Sequence, residues 1–105
     1  MSDRAYAATL GAPLKHHHRL SKQIRGSALS VPANIAEGYA LGTRAQFIRH
    51  LRIACGSAAE LKCHLALADA NHLLGDLGRE LVRDSDRAIA MLIGLLRSLG
   101  ARVPR

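Results

Sequence analysis

The sequence predicts an all-α protein: an antiparallel four-helix bundle with a shortened first helix, oligomerising through its helix faces. Three observations carry that prediction. The 105 residues are 49% apolar but only 3% aromatic, with Leu, Ala and Ile prominent and the β-favouring residues scarce. Apolar positions from Phe47 to Ala68 recur at spacings 4, 3, 4, 3, 4, 3, a heptad rhythm that belongs to helices packed side by side. Glycines and a capping signal punctuate the chain where helices should stop and start. The length suits one domain with one core, here residues 1–105.

The elements follow in order. A short first helix covers residues 3–10 within an N-terminal segment 1–12, and Gly11-Ala12-Pro13 ends it. A second helix, in the segment 14–38, starts at Leu14 or His18 and carries the stripe Leu20, Ile24, Ala28, Val31, Ile35 at spacings 4, 4, 3, 4. Pro32 lies inside it; its ring opposes the Ala28 carbonyl and should kink the helix. Gly38 is placed as the C-terminal stop and Gly42 in the loop beyond. Thr43 opens a third helix over 43–73, and Gln46, three residues on, completes a capping box. Its core stripe is Phe47, Leu51, Ala54, Ala58, Leu61, Leu65, Ala68. A fourth helix over 76–100 puts Leu77, Leu81, Ala88, Leu92, Leu95 and Leu99 on one face, with Gly100 after it.

Two helices carry more apolar surface than a monomer of this size covers. Behind its core stripe the third helix has a second row of heptad spacing, Arg52, Gly56, Ala59, Cys63, Ala66. Small residues let another helix come close, and Gly56 costs the helix about 1 kcal/mol relative to alanine. The fourth helix has Val82, Ile89, Ile93 and Leu96 as a second stripe. A helix apolar on most sides must be covered on most sides, so a homo-oligomer is expected.

A polar row also runs along the second helix: Gln23, Ser27, Ser30, Asn34, Glu37 at spacings 4, 3, 4, 3. The third helix offers Ser57, Glu60 and His64. The two rows either meet in a partly buried network that fixes helix register or form a solvated edge. Arg25 or Arg52 is the expected counter-ion for Glu37.

The formal charge is +7, and it is unevenly spread. Residues 15–62 hold eight Lys and Arg against only Glu37 and Glu60. Such a region suits a polyanion, with nucleic acid ahead of a membrane surface, or else only keeps the protein soluble. The candidate phosphate contacts are Lys15, Arg19, Lys22, Arg25, Arg44, Arg49 and Arg52. Tyr6, Tyr39 and Phe47 are the only aromatics, too few for base-stacking platforms. Binding is therefore expected through phosphates, steeply salt-dependent, with little base readout.

Other chemistry is weakly supported. Cys55 and Cys63, eight residues apart on one helix, would have Cα atoms ~12 Å apart, beyond disulfide reach. Adjacent His16, His17 and His18 do not converge on one ion in a helix. Glu60 and His64 lack the spacing and companion carboxylates of a di-iron site. There is no phosphate-cradling glycine loop and no nucleophile–histidine–acid arrangement. No enzyme activity, metal or cofactor is expected. No signal pattern begins the sequence, and the longest apolar run, 88–96, is too short to span a bilayer; a cytoplasmic location is expected.

The segments "QIRGSALSVPANIAEGYA" and "FIRHLRIACGSAAEL" together resemble a family: the small four-helix-bundle proteins encoded by intervening sequences in bacterial large-subunit ribosomal RNA genes. Their relatives include the accessory variability determinant of diversity-generating retroelements. The resemblance rests on Gln23-Ile24-Arg25, on Ser30-Val31-Pro32-x-Asn34-Ile35-Ala36-Glu37-Gly38, on Phe47 and Leu51, and on Ala54-x-Gly56-Ser57-x-x-Glu60. It covers roughly residues 13–99, including "MLIGLLRSL" as a last helix.

The resemblance implies a homopentameric barrel with a basic surface. Pro32, Asn34, Glu37, Gly38, Gly56, Ser57 and Glu60 then serve the bundle and its assembly. It also implies a partner that is either nucleic acid, RNA or DNA, or a protein such as a reverse transcriptase, for which the chain would be an adaptor or scaffold. Here the chain departs from the family pattern at Leu41, Cys55, Lys62 and Cys63, and it has fewer turns in the first helix. Exposed apolar surface is expected where those turns would pack.

Overall fold

The computed structural model describes residues 1–11 and 13–103. Ala12, in the expected helix stop, lies outside the described residues, as do the last two positions. The described residues form four helices and two short 3-10 turns: α1 (Ser2–Ala8), a turn at Leu14–His16, α2 (His18–Ala40), α3 (Arg44–Ala70), a turn at Gly75–Leu77, and α4 (Gly78–Ser98). The 27 residues of α3 rise about 40 Å, which accounts for the 43 Å long dimension of the molecule.

The long helices are antiparallel neighbours, as their cross-contacts show. Ser30 on α2 meets Ser57 on α3, and Asn34 meets the earlier His50. Between α3 and α4, Lys62 Nζ pairs with Asp86 at 2.7 Å, and Asp69 sits against Gly78. Short loops that reverse direction impose this arrangement.

The core has two clusters along the bundle. One joins Ala5 of α1, Leu14 of the first 3-10 turn, Ile24 and Ala28 of α2, Leu61, Leu65 and Ala68 of α3, and Leu81 of α4. The other joins Val31, Leu51, Ala54, Ala58, Leu92 and Leu96. The heptad stripe of α3 is buried as expected from Leu51 to Ala68, with Phe47 half-buried at its start. Thr43 caps α3, its hydroxyl accepting from the Gln46 N–H at 3.1 Å.

Three details differ from the sequence expectation. First, α2 begins at His18, the later of the two expected starts, but runs two residues past Gly38, to Ala40. It is continuous through Pro32. Gly42, not Gly38, takes the left-handed backbone that follows the helix, at φ +78°. Gly38 is buried for another reason: a Cβ there would lie 2.6 Å from Cβ of His50. Glycine permits the close approach of α2 and α3, and a helix end is not involved.

Second, the buried face of α4 is Gly78, Leu81, Ser85, Leu92 and Leu96. Leu77 and Leu95 are 50% and 38% exposed. Leu81 and Leu92 of the expected face are buried, but Leu96 of the second stripe joins them while Leu95 turns out, and Val82, Ile89 and Ile93 are half-buried.

Third, α1 ends at Ala8, and it covers only part of the bundle. Arg4 ties it to α4 through Glu80 at 3.0 Å and Asp84 at 2.6 Å. The α4 face that bears those two carboxylates continues into Met91, 75% exposed, and Leu95.

Candidate nucleic-acid interface

The two polar rows meet. Ser30 Oγ and Ser57 Oγ lie 2.7 Å apart. Asn34 Nδ2 donates to the Ser30 carbonyl at 2.9 Å and to its hydroxyl at 3.0 Å. Asn34 Oδ1 faces Nδ1 of His50 at 3.0 Å, and Glu37 Oε2 approaches the same nitrogen at 3.8 Å. The network thus runs Ser57–Ser30–Asn34–His50–Glu37 across the α2–α3 seam.

His50 is the member that sequence reasoning missed. The signal was available: Ser57 and His64 are one heptad apart, and the same step backward reaches His50. The expected counter-ion for Glu37 is corrected here. Arg25 sits about 18 Å up the same helix, and Arg52 points to the other side of α3. Glu60 pairs along its own helix with His64, at 3.4 Å.

The seven candidate basic residues fall into three groups. Arg25 is half-buried and structural in its contacts: Nε donates to Thr9 Oγ1 at 2.7 Å, and the guanidinium lies 5.9 Å from the centre of the Tyr6 ring. It holds α1 onto α2. Arg44 donates to the Leu99 carbonyl and Arg52 to the Arg102 carbonyl, so both brace the end of α4 against α3. Lys15, Arg19, Lys22 and Arg49 are exposed and form none of the ion pairs found among the described residues.

Charge concentrated in sequence becomes two groups in space. Lys15, Arg19 and Lys22 stand at the start of α2. Arg49 stands near the other end, beside the last turns of α2, because α3 runs antiparallel. From Arg19 to Glu37 the rise of the helix is roughly 27 Å. An open groove of about 480 Å³ follows the α2–α3 seam from the first group. Arg19, Lys22, Gln23, Gly26, Ser27 and Ser30 line it from α2, and Ser57 and Glu60 from α3.

The remaining chemistry-bearing residues are quiet. Burial pushes the Cys55 thiol above its ordinary range, which suits a packing residue more than a nucleophile. Cys63 is exposed. Among the described residues no group of three or more His, Cys, Asp or Glu is placed to hold a metal ion, and no described helix is long and apolar enough to cross a membrane.

The fold and seam define a small all-α protein, a four-helix bundle with a polar, cation-flanked groove between two helices. The chain belongs to the 23S rRNA-intervening sequence protein family, whose model matches residues 1–94. Comparison with curated proteins and with solved structures yields no match.

Proposed function

We propose that this chain is a nonenzymatic, homo-oligomeric bundle that binds nucleic acid through phosphate contacts. The observation that supports the reading most is the exposure of Lys15, Arg19, Lys22 and Arg49 without ion-pair partners. The acidic groups of α4, by contrast, are taken up: Glu80 and Asp84 by Arg4, Asp86 by Lys62. Charge free of internal partners is available to condense on a polyanion and release its counterions.

Reversing Arg19, Lys22 and Arg49 to glutamate tests this in salt titrations with RNA and DNA. Wild-type affinity should fall steeply with salt. The triple variant should bind at least about a hundredfold more weakly and lose roughly two to three in the log–log salt slope. An affinity that stays flat from low to physiological salt sinks the phosphate-contact reading. If the variant instead loses a protein partner while nucleic-acid binding was never present, the adaptor reading takes its place.

Assembly is the second part of the proposal. Arg52, Gly56, Ala59, Cys63 and Ala66 are all exposed on the back of α3, and a Cβ at Gly56 would meet nothing within 4 Å. Intrachain packing therefore has no need of glycine there, while a neighbouring copy's helix would. The resemblance suggests five copies, and a ring would multiply the +7 charge into avidity. Gly56→Leu should leave the chain folded and reduce the solution mass to that of one 11.3 kDa chain. An unchanged multimer would show that copies meet on another face.

A further inference from the structure

The α2–α3 groove is built differently from a plain phosphate site. Arg19 and Lys22 stand at its start, but Glu60 lines the same groove and is 57% exposed. A carboxylate beside two cations weakens their field and repels a phosphate. It is an acceptor only; Oε1 already faces His64 Nε2 at 3.4 Å, and the remaining acceptor capacity favours a ligand that brings a donor. Gly26 also lines the groove. A mid-helix glycine weakens a helix, and a Cβ at Gly26 would meet nothing within 4 Å. The fold does not call for it, yet its bare backbone keeps the groove open beside the cations.

A ribose-phosphate strand matches this combination. Each nucleotide of RNA carries an anionic phosphate and, one sugar away, a 2′-hydroxyl that both donates and accepts. DNA has the phosphate without the donor. We propose that the groove takes an RNA backbone, with phosphate on Arg19 and Lys22 and a 2′-hydroxyl donating to Glu60, so that the protein prefers RNA to DNA. This rests on the nucleic-acid reading above and adds the sugar as the group recognised. No aromatic ring lines the groove, so bases are not read there.

The test compares an oligouridylate with an oligodeoxyuridylate of the same length at physiological salt, using the intact chain. The RNA should bind about tenfold more tightly, the size of one hydrogen bond to a charged acceptor. Glu60→Ala should tighten DNA binding and bring the two affinities to near parity. Gly26→Leu should fill the groove and weaken the RNA complex without unfolding the chain, since nothing stands where its side chain begins. Equal wild-type affinities, with Glu60→Ala strengthening both alike, overturn the sugar contact and leave phosphate binding standing. Absence of binding to either oligomer, at physiological salt and again at low salt, overturns the sugar contact and the nucleic-acid reading together.

Discussion

Replacing Leu61 by alanine lowers the stability of this protein by about 2–5 kcal/mol. Leu61 is fully buried in the cluster where all four helices meet, among Ala5, Ile24, Ala28, Leu65 and Leu81. Alanine removes the apolar atoms and leaves a cavity. Several of the neighbours are themselves alanines, too short to reach into it, so little relaxation is available. For a domain of this size each kcal/mol moves the midpoint by about 4–8 °C, and total stability is only about 5–15 kcal/mol. Thermal unfolding at a fixed protein concentration measures the change, with Leu10→Ala as the control. Leu10 is 60% exposed, and its truncation should stay within about 0.5 kcal/mol. Equal midpoints for the two variants would refute the packing of the cluster.

The second large effect separates two glycines on one helix. Gly38→Ala should destabilise by about 1–3 kcal/mol, the range for overpacking a tight core. The new Cβ would stand 2.6 Å from Cβ of His50, an atom fixed directly to the α3 backbone, so α3 itself must move. That shift also strains the His50–Asn34 hydrogen bond at 3.0 Å. Gly26→Ala should act in the opposite sense, stabilising by up to about 1 kcal/mol through helix propensity alone, since its space is empty. Denaturant midpoints of the two variants, moving in opposite directions, are the expected result. A Gly38→Ala protein as stable as wild type would mean the helices do not approach as closely as described.

Much of the α2–α3 seam was legible in the spacing of residues. The polar row from Gln23 to Glu37 and the row from Ser57 to His64 could be drawn from the helical period, and Ser30, Asn34 and Ser57 do join. What spacing could not supply was partner choice. Glu37 lies beside His50, because the nearest group across an antiparallel seam depends on how far one helix slides along the other. Nor could it show that Arg25, Arg44 and Arg52 turn to Thr9 and to carbonyls at the end of α4. A long arginine reaches several targets, and only packed geometry selects one.

The amino-acid order by itself determined the helices, the cap at Thr43 and the buried heptad line of α3, because these depend on interactions within a few residues and on a period of 3.6. It also determined the excess of positive charge. The tertiary structure alone decided that Gly38 is a contact point, that α4 turns Leu96 inward and Leu95 outward, and that the cations divide between the two ends of the seam. Those outcomes depend on the rotation and sliding of whole helices against one another, set by the summed fit of many side chains at once, which no local run of residues encodes.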